Sequence, residues 1–179
     1  MLHAQNTGLI VVDIQGKLAR LVHDSDTLIS NCEKLIKGAQ ALNMPIIHLE
    51  QNTSKLGTTT PVLNALLSHS DPIEKFTFNA CDEPNFIDAV KSTGIQSWLV
   101  CGIEAHICVY QTAVGLDALG FEVELVSDCV SSRTLANKQL SINRLTRQGI
   151  PITGLEMCLY ELVKDCRAPV FKDVLSLIK

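Results

Sequence analysis

Four near-continuous apolar runs of strand length recur along the sequence and constrain its fold more than any other feature. Such runs are typical of parallel β-strands that helices bury on both faces, whereas half-exposed antiparallel strands alternate polar and apolar residues. The segments between the runs carry apolar residues at helical spacing. The four runs cover residues 8–13, 45–50, 96–101 and 121–127.

Two further segments of strand character, 74–78 and 151–153, bring the predicted strands to six. Strands that alternate with helices predict right-handed crossovers, and therefore an α/β fold: a three-layer α/β/α sandwich around a six-stranded, mostly parallel, doubly wound sheet. We expect one domain over residues 1–179, with 51–60 as its longest irregular stretch, polar and mobile. The later helices are predicted over 107–119, over 135–148, and from Glu156 and Pro169 onwards.

Composition favours a stable globular core and excludes several classes of protein. The 179-residue sequence is 46% hydrophobic and 19% charged, with a net charge of -4 and no block of basic residues, so we expect no nucleic-acid partner. No stretch approaches the roughly 18 consecutive apolar residues of a membrane span, and the first residues lack a signal-peptide pattern. We therefore expect no membrane partner and a cytoplasmic location.

Seven cysteines are many for this length, but their number is odd and no pair has C-x-x-C spacing. That pattern argues against a disulfide framework or a zinc site. Free cysteine commonly behaves as a small buried hydrophobe, so we expect most of the cysteines to lie in the core. One or two remain as candidates for chemistry.

Three reactive side chains are predicted at the carboxyl ends of strands, where open parallel sheets bind their ligands. Asp13 ends the first run, Lys75 lies in the short strand 74–78, and Cys108 follows a later run at the start of a helix. The unpaired N–H groups and the dipole of that helix favour a thiolate, and Lys75 is expected to lower the pKa of the thiol further. With Asp13 as proton acceptor, these side chains are the minimal set for covalent acyl transfer.

Three stretches of the sequence carry a family resemblance. They are VVDIQGKL at 11–18, the lysine of EKFTF at 74–78 and LVCGIEAHICVYQTAVGLDALGFEVELVSDCVSSR at 99–133. In this order they resemble the isochorismatase-like, or cysteine hydrolase, superfamily. The loop HLEQNTSKLGTTTPVL at 48–63 is similar to its isochorismatase-domain-containing branch. The resemblance spans nearly the whole chain and implies the same three-layer sandwich.

The resemblance implies a role for each matched residue. Asp13 is the implied general base, Lys75 the cationic partner and Cys108 the nucleophile. A cis peptide bond is implied between Ile103 and Glu104, where it directs the N–H of Glu104, together with that of Cys108, into an oxyanion hole. The implied activity is that of a cysteine hydrolase acting on a small amide, or on an ester or thioester, with a small molecule as substrate.

Two departures from better-known relatives narrow that activity. Nicotinamidase-like members hold a metal with an Asp-x-His pair and a further His after the second strand, whereas the only histidine of that region here, His48, lies inside the strand. Isochorismatases proper lack the nucleophilic cysteine that this sequence has at Cys108. The expectation is therefore a hydrolase with no metal and no cofactor, assembled as a homo-oligomer, as family members commonly are.

Residues beside the predicted site have more than one interpretation. Glu50 and Gln51 either orient substrate or cap backbone groups at the end of their strand. Phe76 and Phe78 flank Lys75 at alternate positions and are candidates for the pocket wall. We take Glu50, Gln51 and Phe76 as the candidate substrate-binding residues.

Other residues near the site are predicted to be structural. Trp98 is expected in the core. His106 and Cys108 are two positions apart and do not face each other on a helix, so no Cys–His dyad is expected. Asp128 and Arg133 have opposite charges and are predicted to pair across the turn that joins them.

Two rival functions stay open on the sequence. One is a binding or regulatory oligomer that retains the three residues without turnover, because a fold and a site do not fix a physiological reaction. The other is a redox sensor in which Cys108 pairs with Cys101 or Cys129. That function requires the two sulfur atoms to be close enough to bridge.

Overall fold

The computed structural model describes every residue of the chain, from Met1 to Lys179. Its centre is a six-stranded sheet. The strands are β1 (Thr7–Val12), β2 (Ile46–Gln51), β3 (Ile73–Lys75), β4 (Ser97–Gly102), β5 (Glu122–Val130) and β6 (Ile152–Thr153). Their order is β3-β2-β1-β4-β5-β6, and every neighbouring pair is parallel. This confirms the predicted fold class.

Nine α-helices connect the strands. Several begin with the side-chain caps that their sequences offer; the Thr134 hydroxyl, for example, accepts a hydrogen bond from the N–H of Asn137 at the start of the helix that follows. The helices are α1 (Leu18–Leu21), α2 (Ser25–Ala41), α3 (Thr53–Leu56), α4 (Pro61–Leu66), α5 (Pro84–Ser92), α6 (Tyr110–Ala118), α7 (Leu135–Arg147), α8 (Leu155–Val163) and α9 (Phe171–Ile178).

The helices form a layer on each face of the sheet. Helices α2, α8 and α9 pack on one face, and α5, α6 and α7 pack on the other. In strand β1, Leu9 and Val11 belong to the core on one face of the sheet, and Ile10 and Val12 belong to the core on the other face. The apolar run is continuous because both faces of the strand are buried. A strand buried on both faces favours apolar side chains at successive positions.

Three boundaries differ from the predictions. Strand β3 ends at Lys75 rather than at residue 78, because the Thr77 carbonyl accepts a hydrogen bond from Lys75 Nζ and the chain leaves the sheet edge. The helix predicted from residue 107 starts as a π-helical turn over Ala105–Val109, and α6 follows it. The stretch 51–60 is not irregular throughout, since it contains α3 and an antiparallel bridge that pairs Gln15 with Thr59.

From β1 the sheet extends to one side through β2 and β3, and from β4 it extends to the other side through β5 and β6. The carboxyl ends of β1 and β4 are therefore the switch point, where sheets of this kind bind ligands. Gly102, at the end of β4, pairs in register with Val12 and has φ of 119°. A Cβ atom there would lie 2.1 Å from the Val12 carbonyl oxygen, so only glycine allows the two strand ends to come this close.

Candidate active site

Asp13 leaves the end of β1 in a left-handed conformation, with φ of 51°. Aspartate tolerates this region better than most residues with a side chain. The residue is buried, and its Oδ2 atom lies 2.8 Å from Lys75 Nζ. Its Oδ1 atom is also buried but has no hydrogen-bond partner, so one oxygen of the carboxyl group is free to accept a proton.

Lys75 is entirely buried at the edge of the sheet, with an exposed fraction of 0%. Its ammonium group donates to Asp13 Oδ2, to Gln51 Oε1 at 2.6 Å and to the Thr77 carbonyl at 3.2 Å. An ammonium group has three N–H donors, and each of them is used here. The charge is therefore fixed in place beside Asp13.

Cys108 lies in the π-helical turn between β4 and α6, where π-helical geometry is frequent at functional sites. Its side chain lines a cavity of about 230 Å³ that opens at the carboxyl ends of β1 and β4. Six of the ten lining residues are hydrophobic. The lining residues are Asp13, Leu18, Gln51, Leu56, Phe78, Ile103, Glu104, Ile107, Cys108 and Arg133.

The thiol of Cys108 and the carboxyl group of Asp13 influence each other directly. Burial, followed by the negative charge of Asp13, raises the pKa of Cys108 to about 12, and Lys75 offsets only part of that rise. Burial also raises the pKa of Asp13, and the positive charge of Lys75 opposes that rise. The expectation that the pKa of Cys108 is lowered is therefore wrong, because burial and Asp13 outweigh the lysine.

The turn before Cys108 brings a backbone donor to the same cavity. The peptide bond between Ile103 and Glu104 is cis, and both residues line the cavity. The N–H of Ile103 donates to the Val12 carbonyl at 2.9 Å, and that of Ala105 donates to the Ser131 carbonyl at 2.7 Å. The N–H of Glu104, between them, forms no hydrogen bond within the chain.

Of the three candidate substrate-binding residues, Gln51 lines the cavity, whereas Glu50 and Phe76 do not. Gln51 lines the cavity, with its side-chain carbonyl held by Lys75 and its amide donating to the Phe76 carbonyl at 2.8 Å. Glu50 does not line it, since its carboxylate accepts hydrogen bonds from both the N–H and the hydroxyl of Thr59, as the capping interpretation predicted. Phe76 is exposed outside the cavity, whereas Phe78 forms part of the wall.

Arg133 and Glu104 form a pair that spacing in the sequence did not indicate. The Nε atom of Arg133 donates to Glu104 Oε1 at 3.2 Å, and both residues line the cavity. The ion pair predicted between Arg133 and Asp128 is wrong, because Asp128 instead accepts a hydrogen bond from the N–H of Leu155, at the start of α8. The two pairing residues are 29 positions apart and meet only when β4 and β5 align.

The remaining cysteines lie away from the cavity. Cys101 and Cys129 belong to the core against α2 and α8, whereas Cys108 belongs to the core on the opposite face of the sheet. The redox pairing of Cys108 with either residue is therefore not supported.

His106 Nδ1 lies 3.0 Å from the Ser132 hydroxyl and its Nε2 lies 3.7 Å from Glu104 Oε2. Trp98 is in the core, as predicted.

The parallel doubly wound sheet, with a cavity at its switch point, places the chain in the class of open-sheet α/β proteins. The family profile for the isochorismatase domain matches residues 7–157. The chain belongs to the isochorismatase family, and that membership supports a function of the hydrolase type.

Two relatives whose names contain isochorismatase support this family assignment. The chain is 33% identical over 178 residues to isochorismatase domain-containing protein 2 of Danio rerio, an alignment that covers 99% of this chain and 89% of that protein. It is 31% identical over 180 residues to the secreted isochorismatase effector Isc1 of Phytophthora sojae, covering 96% of this chain and 83% of the relative.

Two solved structures have the same fold. The MAR1 ribonuclease of Caenorhabditis elegans superposes with a TM-score of 0.93 at 34% identity, covering 99% of this chain and 91% of that one. The YcaC gene product of Escherichia coli, an octameric hydrolase of unknown specificity, superposes with a TM-score of 0.93 at 25% identity, covering 98% of this chain and 89% of that one.

Among the helices of this chain, none is both long and apolar enough to cross a membrane.

Proposed function

We propose that the protein is a cysteine hydrolase that cleaves a small amide, or an ester or thioester, through a covalent acyl-enzyme on Cys108. One observation carries the proposal: a cysteine thiol lies beside a carboxyl group that has a free oxygen, and a buried lysine holds that carboxyl group. Nucleophile and base face one cavity, and the electrostatic partner lies buried behind the base, which is the arrangement that covalent acyl transfer requires.

The raised pKa of the thiol decides the order of the first step. Because burial and the charge of Asp13 raise the pKa of Cys108 to about 12, the thiol form is favoured at neutral pH. We therefore propose that the proton moves to Asp13 Oδ1 as Sγ attacks the substrate carbonyl carbon, rather than before substrate arrives. The raised pKa of Asp13 makes its carboxylate a better proton acceptor than an exposed one, and Lys75 keeps it in place.

The oxyanion that forms is proposed to accept a hydrogen bond from the free N–H of Glu104, with the N–H of Cys108 as second donor. When the tetrahedral intermediate collapses, the C–N bond breaks and Asp13 returns its proton to the leaving amine. A water molecule then attacks the thioester and gives a proton to Asp13. The carboxylic acid leaves, and the proton returns to Cys108 Sγ.

The cavity also limits the size of the substrate. Its volume of about 230 Å³ lies below the 300–1,000 Å³ of typical ligand pockets, which favours a small molecule. Its apolar walls suit a short carbon chain beside the reacting carbonyl. No metal or cofactor enters the proposed reaction.

Turnover of a panel of small primary amides, followed by the release of ammonia, tests the proposal. Cys108→Ala is expected to abolish turnover while the circular dichroism spectrum and the unfolding midpoint stay unchanged. The matched control is Cys166→Ala, because Cys166 is exposed and does not line the cavity. Full turnover by Cys108→Ala on a substrate of the wild type would show that the nucleophile is another residue.

The ribonuclease among the solved neighbours makes RNA a second candidate substrate. The net charge of -4 and the small cavity favour an amide over a polynucleotide, whose binding depends on many cationic contacts. Incubation with a fluorescent RNA distinguishes the two activities. Cleavage by the wild type that Cys108→Ala lacks would replace the amide proposal.

The cellular location and the oligomeric state of the protein are proposed from its cysteines and from its relatives. All seven cysteines are free, which suits a reducing cytoplasm, although one relative is secreted. The octameric neighbour supports a homo-oligomer. The rival function, a binding or regulatory oligomer without turnover, would be favoured if no amide, ester or thioester were hydrolysed.

A further inference from the structure

Arg133 presents unused hydrogen-bond donors beside the proposed nucleophile. It lines the same cavity as Cys108, and its Nε atom is occupied by Glu104 Oε1. Its terminal nitrogens, Nη1 and Nη2, donate no hydrogen bond within the chain. The side chain is 67% exposed, so these donors are open to a molecule that enters from solvent.

Glu104 fixes the orientation of that guanidinium group. The Glu104 side chain is 4% exposed and holds Arg133 at the Nε position alone. Because guanidinium is planar, anchoring Nε leaves the terminal N–H groups as a fixed fork. A fork of this kind matches the two oxygens of a carboxylate.

The acidic and basic side chains around the cavity balance one another. Each acidic side chain in the lining has a cation beside it, since Asp13 pairs with Lys75 and Glu104 pairs with Arg133. His106 Nε2 also lies 3.7 Å from Glu104 Oε2. An entering carboxylate therefore meets no uncompensated negative charge.

An adjoining groove adds further positive charge. The groove has a volume of about 370 Å³ and shares Leu18 and Leu56 with the catalytic cavity. Lys17 and Lys55 line it, no acidic residue does, and neither lysine forms an ion pair. This local excess of cations contrasts with the net charge of -4 of the whole chain.

We propose that the substrate is a small amide that also carries a carboxylate, and that Arg133 binds this carboxylate through its terminal nitrogens. The proposal rests on the proposed function and adds the chemical class of the substrate to it. The hydrophobic lining residues hold the carbon chain between the two polar ends, with the amide carbonyl at Cys108 and the carboxylate at Arg133.

Two amides of equal length test the proposal: succinamate, which carries a carboxylate, and butyramide, which does not. The wild type is expected to prefer succinamate in kcat/KM. Arg133→Gln should lower kcat/KM for succinamate by about 10- to 100-fold more than it lowers kcat/KM for butyramide, which is the value of a hydrogen bond to a charged group. Arg147→Gln is the matched control, since Arg147 is exposed on α7 and lies outside the cavity.

Binding to Cys108→Ala separates this inference from the proposed function. Calorimetry should show that succinamate binds this variant, and that adding Arg133→Gln weakens the Kd by about 10- to 100-fold whereas adding Arg147→Gln does not. If no amide is hydrolysed but binding depends on Arg133, the hydrolase proposal fails and the carboxylate site stands.

Four results would overturn the carboxylate site. The first is hydrolysis without a preference for succinamate. The second is a preference that survives Arg133→Gln, and the third is the absence of measurable succinamate binding to Cys108→Ala. A loss for both amides alike would also overturn it, because it would show that Arg133 only holds Glu104 in position.

Discussion

Burial makes Asp13 and Lys75 depend on each other, because neither charge can reach water when the other is removed. Asp13→Asn leaves the ammonium group of Lys75 without its ionic partner in the interior, and we expect a loss of about 3–5 kcal/mol in the free energy of unfolding. The double variant with Lys75→Met should lose less than the sum of the two single variants. Urea unfolding measures each value, and simple additivity would contradict a coupled pair.

The same carboxylate controls the reactivity of the thiol. Asp13 raises the pKa of Cys108 and Lys75 lowers it, so Asp13→Asn should lower the pKa from about 12 and Lys75→Met should raise it further. Alkylation of Cys108 by iodoacetamide should therefore be faster in Asp13→Asn than in wild type at pH 8, although turnover is lost. Peptide mass spectrometry measures the rate against pH, with exposed Cys166 as internal reference. A wild-type thiol that titrates below pH 8.5 would contradict the resting state described above.

The sequence predicts the position of the candidate reactive residues better than the pKa of their side chains. Asp13, Lys75 and Cys108 each lie at or just beyond the carboxyl end of a strand, so the topology brings them to one edge of the sheet. The pKa of Cys108 could not be predicted, because it depends on burial that only packing creates. The Arg133–Glu104 pair was missed for a similar reason, since it joins residues from two different strand ends.

At the scale of single elements, the junction of β1 and β4 positions the site. Gly102→Ala would place a Cβ atom 2.1 Å from the Val12 carbonyl oxygen, and we expect it to cost more than about 3 kcal/mol of stability and to abolish turnover. Gly94→Ala is the matched control, because Gly94 also has a positive φ but no atom near its missing Cβ. It should cost about 1–2 kcal/mol and leave turnover intact. Equal losses in both variants would contradict a steric role for Gly102.

The sequence predicts a strand or a helix correctly where its apolar residues follow a regular burial pattern. Long strands such as β1 and β4 appear as apolar runs because helices cover both of their faces. The edge strand β3 has only three residues and pairs with β2 alone, so its end at Lys75 follows from a tertiary hydrogen bond rather than from hydropathy. A π-helical turn has nearly the same apolar spacing as an α-helix, and the sequence therefore did not distinguish them.

At the scale of the whole molecule, we expect assembly into a homo-oligomer. Of the apolar residues of α8, Leu159 and Leu162 pack in the core and are not available to a partner, whereas Met157 is exposed. Light scattering should give a mass that is a multiple of the 19.6 kDa chain, and Met157→Glu should reduce it. A single species at the mass of one chain would contradict the oligomer.

The proposed hydrolase depends on one covalent step, in which Cys108 forms the acyl-enzyme with Asp13 as its base. Rapid acid quenching during turnover of an amide, followed by peptide mass spectrometry, tests it most directly. We predict an acyl adduct on the peptide that contains Cys108 in the wild type and none in Asp13→Asn or Cys108→Ala. Steady turnover with no adduct on Cys108, or an equal adduct in Asp13→Asn, would contradict the claim.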